Sequence, residues 1–258
     1  MLLNLEKEIK NKYGVELKIK FLPVENMSKS IAKVIMEKKA GLVPSIDLIT
    51  LSAHIVDAMR DGVLESVDWK PLLTDDMNPK VVLDNPLMRG GIVYYTGHIG
   101  LMYNPEKIKE NEVPKTWADL AKPKWKDRGG IAQSDSVYAR AGIFLGKDKI
   151  FSELRAILKN GAVQGFYPIL NNRYMLGEIW WAITNSVFLK AALDKGMPAK
   201  WQSLEVADVT DFSSVLLKGA THPNAAKLAA LYLSSPEGAK LTLEEAGPGN
   251  MWYPGNYE

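Results

Sequence analysis

The stretch Gly90 to Tyr103, GGIVYYTGHIGLMY, decides how the rest of the chain is read. It is rich in β-branched and aromatic residues, is interrupted by glycines, and runs directly into Asn104-Pro105. Such composition predicts a strand. At this length the strand can leave one lobe and enter another. A second crossing is expected between Trp201 and Ser214, and no flexible linker, repeat or low-complexity tract separates the halves. Two crossings without a linker favour a hinged pair of lobes over beads on a string.

On the amino-terminal side, Leu2, Leu3, Leu5 and Ile9 share a helical face that Gly14 closes. Val15 to Phe21, VELKIKF, alternates apolar and polar residues and predicts a half-buried strand. A helix over Ser28 to Lys39, a buried strand over Ile46 to Leu51 and a helix from His54 to Arg60 follow. Strand, helix, strand, helix is the pattern of a mainly parallel sheet. In such sheets ligands sit beyond the carboxyl ends of strands, where Ser52 and Ala53 fall.

On the carboxyl-terminal side, Thr116 is placed as an N-cap with Asp119 at the capping-box position. Gly129 to Ala132 reads as a short strand, with Ser134-Asp135-Ser136 between it and a helix beginning near Val137. A helix over Asp148 to Lys159 stops at Asn160-Gly161. The run Glu178 to Thr184 reads as a buried strand, after which Asn185-Ser186 opens another helix. Asn224 to Leu233 and Pro236 to Glu245 complete the chain as two helices.

Composition narrows the function classes. The 258 residues carry 32 Lys and Arg against 30 Asp and Glu, interspersed, so no nucleic-acid footprint stands out. Cysteine is absent, which removes disulfides, thiolate zinc sites and thiol catalysis. His54, His98 and His222 show no metal-ligand spacing, and no GxSxG, P-loop, HExxH or GxGxxG motif occurs. Neither a catalytic centre, a metal site nor a cofactor is expected. No apolar run reaches membrane-spanning length.

The segment Leu217 to Lys240, LKGATHPNAAKLAALYLSSPEGAK, resembles the carboxyl-terminal signature of the family 1 extracellular solute-binding proteins of ABC importers, the group that includes ferric-ion and polyamine binders. Gly219, His222-Pro223-Asn224, Ala225-Ala226 and Ser235-Pro236-Glu237-Gly238 stand in the family's order. Tyr13-Gly14-Val15, Tyr103-Asn104-Pro105 and Pro114 to Leu120 followed by Lys122-Pro123-Lys124-Trp125 extend the likeness over nearly the whole chain.

The resemblance implies an α/β type II periplasmic-binding-protein fold. Lobe 1 is then residues 1–102 plus 208–258, lobe 2 is 103–207, and the first strand of lobe 1 is missing because the chain begins within the first helix. It further implies an extracytoplasmic, monomeric receptor without a leader in this chain, a small-molecule or ion ligand such as an anion or metal complex, an ABC permease as partner and no nucleic acid. Ferric binders hold iron with adjacent tyrosines at the helix opening after a GE-containing strand, and this chain places Val187 and Phe188 there. Tyr94-Tyr95 is a dyad on a strand, where neighbours face opposite sides.

On that reading the ligand meets Ser52 and Ala53 in one lobe, and Ser134, Asp135, Ser136, Thr184, Asn185 and Ser186 in the other. Each of these also suits a helix cap, and the two roles coincide. Trp180 and Tyr138 are added as an aromatic wall and a helix-borne contact, with Arg140 and Tyr174 as further reaches; of Trp180 and Trp181, at least one belongs to the core. Two other functions compete with transport. In an enzyme on the same fold Asp135 would act as acid or base, and a cytosolic ligand sensor would normally carry a helix-turn-helix.

Overall fold

The computed structural model describes residues 3–22, 27–52, 55–84 and 89–255; the side chains of Met27, Ser28, Asp135 and Ser136 are outside that description. The chain divides into two compact units, residues 1–96 with 211–258 and residues 97–210. Two strands carry the chain between them: β2 (Gly91–Tyr103), which changes unit after Thr96, and β7 (Asp208–Leu216), which returns after Thr210. The division therefore falls inside the crossing strands, several residues before the end of β2.

Unit 1 opens with α1 (Leu5–Tyr13), closed by Gly14 in the left-handed conformation, and α2 (Met27–Lys39). The short strand β1 (Leu48–Leu51) pairs antiparallel with β7, from Leu48 opposite Leu216 to Leu51 opposite Ser213. Alternation along these strands sends Ile49, Leu51 and Val215 against Ile31 and Val34 of α2 and against α3 (Ile55–Arg60). Leu48 faces the opposite layer, where Ile92 and Val93 pack with the helices α9 (Pro223–Leu233) and α10 (Pro236–Ala246).

The expected strand over Val15 to Phe21 is not one, since no ladder pairs it among the described residues. Its alternation has another cause. Leu17 and Ile19 lie against Leu5, Ile9 and Tyr232, while Val15 and Phe21 stay exposed, and the Ile19 N–H donates to Glu6 Oε1 at 2.6 Å. Period two records one-sided burial, which an extended segment satisfies without a ladder.

The carboxyl-terminal signature has clear local work. Asp47 accepts from the His222 N–H at 2.9 Å and meets the His222 ring at 3.2 Å, which fixes the entry to α9. Ser235 Oγ accepts from the Gly238 N–H at 3.2 Å and donates to the Tyr232 carbonyl at 2.7 Å, so it caps α10 and closes α9 together.

Unit 2 holds the parallel sheet. The strand β3 (Gly129–Ala132) runs parallel to both β4 (Val163–Gly165) and β5 (Trp181–Asn185), and β5 lies antiparallel to β2. The strand β6 (Lys200–Gln202) pairs antiparallel with β2 as well. The expected mainly parallel sheet is thus met only by β3, β4 and β5, since β2 pairs antiparallel with β5 and β6, and in unit 1 β1 pairs antiparallel with β7.

One face of the unit 2 sheet, Leu101, Tyr103, Ile131, Trp181 and Ile183, packs under α4 (Trp117–Leu120), α5 (Asp135–Leu145) and α6 (Lys147–Lys159). The other, Met102 and Ala182, meets α7 (Tyr167–Met175) and α8 (Val187–Asp194). Trp181 is fully buried, and its ring lies where a Cβ on Gly129 would fall, 2.0 Å away. The glycine gives the indole its slot, and burying a side chain of this kind is worth about 3 kcal/mol. Among the described residues no helix is long and apolar enough to cross a membrane.

Candidate functional site

Three helices of unit 2 start where three parallel strands stop. Ala132 ends β3 and Ser134 caps α5; Gly165 ends β4 and Phe166 caps α7; Asn185 ends β5 and Ser186 caps α8. Because β4, β3 and β5 are adjacent and parallel, the helix N-termini gather at one edge of the sheet. Each start carries a partial positive charge of about half a unit, although some of its N–H groups are already engaged, Val137 by the Ser134 carbonyl, Ile169 and Leu170 by the Phe166 carbonyl and Val187 by Asn185 Oδ1, and Pro168 has none. The edge is built to receive oxygen atoms.

Side chains that line this edge form a connected set. The Tyr167 phenol is hydrogen-bonded with the Ser134 side chain, and burial raises its pKa against the opposing pull of Ser134 and Arg140. The Tyr167 ring stacks on Phe188 at 6.1 Å between centroids. Arg140, two turns into α5, grips Asp208 with two bonds of 2.8 Å and reaches Thr210 Oγ1 at 3.3 Å. Gln133 and Phe166 stand exposed beside Ser134 and Tyr167.

Sequence-predicted residues fall into three groups. Ser134 is half-buried at the start of α5, as placed; Asp135 and Ser136 open the same helix, with side chains outside the described residues. Thr184, Asn185 and Ser186 are at the correct strand end but are buried, at 0%, 7% and 2% exposure. Their side chains build the turn. Asn185 Oδ1 accepts from the Val187 N–H at 3.1 Å, and Ser186 Oγ accepts from the His98 N–H at 3.0 Å while its own N–H donates to the His98 carbonyl. The Asn185 amide rests on bare backbone at Gly97, where a Cβ would lie 2.7 Å from it. Thr184 Oγ1 has no hydrogen-bond partner among the described residues.

Tyr138 and Trp180 do not line this edge. Tyr138 points inward from α5, donates its hydroxyl to the Ala132 carbonyl and packs edge-on against Trp117. Trp180 precedes β5 and therefore sits at the amino end of that strand, opposite the helix starts, with the Arg128 guanidinium 4.4 Å over its ring. The expected strand over Glu178 to Thr184 begins three residues later than predicted, which moved Trp180 out of it. Tyr174 is likewise core, donating to the Pro198 carbonyl at 2.8 Å.

Unit 1 places Ser52 just beyond β1, half-buried, its carbonyl accepting from Ile55 N–H at 3.0 Å; Ala53 and His54 lie outside the described residues. Nearby chemistry is aromatic. Tyr94 Oη bonds Thr50 Oγ1 at 3.0 Å, Tyr95 stacks on Phe212 at 4.3 Å, and the two tyrosine rings meet edge to face at 4.7 Å despite their adjacent strand positions. Burial pushes the Tyr94 phenol up to about 12 and Tyr95 well above its ordinary value.

Tyr167, Phe166 and Asp208 escaped sequence reasoning. The strand β4 is three residues long, too short for a period-two signal, so the residues following it had no assigned element. One signal was present: Pro168, one residue inside a helix start, between the stop at Asn160-Gly161 and the next at Gly177.

A family model described as bacterial extracellular solute-binding protein matches residues 38–169. Among solved structures, iron-bound HitA from Pseudomonas aeruginosa superposes with a TM-score of 0.74 at 21% identity, over 96% of this chain and 82% of its own. AfuA from Actinobacillus pleuropneumoniae, bound to fructose-6-phosphate, gives 0.73 at 21% identity over 97% and 83%. The spermidine/putrescine ABC transporter substrate-binding protein PotD from Streptococcus pneumoniae gives 0.74 at 16% identity over 95% and 77%. These likenesses show the periplasmic-binding-protein fold. No curated protein sequence matches significantly.

Proposed function

Because the chain belongs to the bacterial extracellular solute-binding proteins, we propose that it is the receptor of an ABC importer. In this reading it works outside the cytoplasmic membrane and passes a small solute, chemically unchanged, to a permease. One observation carries the reading: three helix N-termini converge on the carboxyl ends of β3, β4 and β5.

The solute is oxygen-rich and preferably anionic. The three helix starts supply positive potential, and Ser134 and Tyr167 add hydroxyls. Arg140 adds no net charge, because Asp208 neutralises it. The phosphorylated sugar bound by AfuA belongs to this class. Iron held by paired tyrosines fits less well, since Val187 and Phe188 open α8.

A thermal-shift screen with phosphate, sulfate, sugar phosphates, citrate, ferric ion and spermidine tests this. A solute at a hundred times its Kd stabilises by about 2.7 kcal/mol, so an oxyanion-bearing compound should raise the melting temperature clearly. Mass spectrometry should then recover it intact. Stabilisation by cations alone would remove the ligand assignment, and conversion of the solute would replace the receptor by an enzyme.

A further inference from the structure

We propose that unit 2 carries a second site, an apolar pocket that takes a small neutral molecule and lies beside the helix starts, sharing the Arg140–Asp208 pair with them. The pocket has a volume of about 300 Å³ and lies between α5 and residues 204–209, over the sheet. Its walls are Val137, Ala141 and Phe144 on one side and Leu204, Val206 and Val209 on the other, with Ile99 and Ile183 as the floor. Every one of these residues belongs to unit 2.

Size is the first argument. Packed interiors leave few voids larger than a water molecule, whereas ligand pockets begin at roughly this volume and are lined mainly by apolar groups. A dry cavity of about 150 Å³ accommodates benzene, so this one accommodates a molecule of about twelve heavy atoms. Phe144 supplies the second argument. It lines the pocket and is still 73% exposed, as a ring at the mouth would be before an occupant covers it.

Charge sets the ligand class. Among the described lining residues the charged groups are Arg140 and Asp208, and they are bonded to each other twice at 2.8 Å. An anion entering here meets the Asp208 carboxylate and a cation meets the guanidinium, and either is stripped of water against apolar walls without a free counter-charge. A neutral ring gives up far less hydration on entry than either ion and gains burial.

Indole, with indole-3-acetate and tryptamine as its anionic and cationic counterparts, tests the proposal by 1H–15N NMR titration of the full chain. Indole should shift the amides of residues 137–144 and 204–209 saturably, and the charged analogues should bind at least about tenfold more weakly. Ala141→Phe fills the space from α5 and should abolish those shifts. Should that variant fail to fold, Val206→Trp fills it from the half-buried bend opposite. Shifts that do not saturate, that fall elsewhere, that are alike for all three compounds or that survive the filling variants would overturn the proposal. A negative result here leaves oxyanion binding at the strand ends untouched, since that is read with different ligands.

Discussion

Thr184→Val should stabilise the protein while leaving solute affinity unchanged. The residue is fully buried in β5, opposite Gly100 of β2, and its hydroxyl finds no partner among the described residues. A buried polar atom left unsatisfied costs about 1 to 3 kcal/mol. Valine has nearly the same shape, replaces the hydroxyl with a methyl worth about 0.8 kcal/mol on burial, and favours strand geometry. Allowing for imperfect packing of the new methyl, the net gain should be about 1 kcal/mol, which at this chain length raises the melting temperature by about 2 to 4 °C. Differential scanning calorimetry reads the shift, and titration with a stabilising solute reads the affinity. A variant destabilised by about 1 kcal/mol would show that the hydroxyl is satisfied. A tenfold loss of affinity would show that Thr184 reaches the ligand and that its burial has been misread.

Other substitutions test separate links. Gly129→Ala drives a Cβ to within 2.0 Å of the Trp181 ring, so it should cost about 3 kcal/mol in urea unfolding, and a neutral result would contradict the packing of that layer. Thr116→Ala removes the capping box and should cost about 1 kcal/mol. In the same cap, the Lys122 side chain foremost, with the Lys115 and Thr116 N–H groups, holds Asp119 down to about 2 from an ordinary value of 3.8. A lowered carboxylate stabilises above its unfolded pKa and loses that contribution as pH falls toward 2, so the urea midpoint should drop over this range and drop less in Asp119→Asn. Asp211 is the opposite case, with its pKa raised by burial. Its contribution is lost as pH rises through the folded value, so Asp211→Asn should melt higher than the parent at pH 7 and no higher at pH 3, as read by circular dichroism.

Much of the architecture was legible because it rests on local physics. The crossing strand Gly91–Tyr103 is long and β-branched, the capping box at Thr116 and Asp119 is complete, and helix stops at Gly14 and Asn160-Gly161 need no tertiary information. What failed depended on partners distant in sequence. Val15 to Phe21 has the alternation of a strand, yet a ladder needs a neighbour and none pairs with it among the described residues. The strand β4 has only three residues, and its existence follows from pairing with β3, so Pro168 alone signalled the helix that carries Tyr167, and nothing local signalled its stacking on Phe188. At the candidate site, Ser134 could be placed at the start of α5 because small polar residues between a strand and a helix signal a cap. Thr184, Asn185 and Ser186 carried the same signal, but their burial, which turns them into builders of the turn, depends on Gly97 and His98 far back in the chain.

Amide hydrogen exchange on the full chain, with and without a solute that raises its melting temperature, addresses the binding account most directly. Protection should rise in the first turns of α5, α7 and α8, at residues 135–138, at 167, 169 and 170, and at 187–190, and the solute should be recovered unaltered. Protection confined to other segments, with those three helix starts exchanging as before, would contradict it.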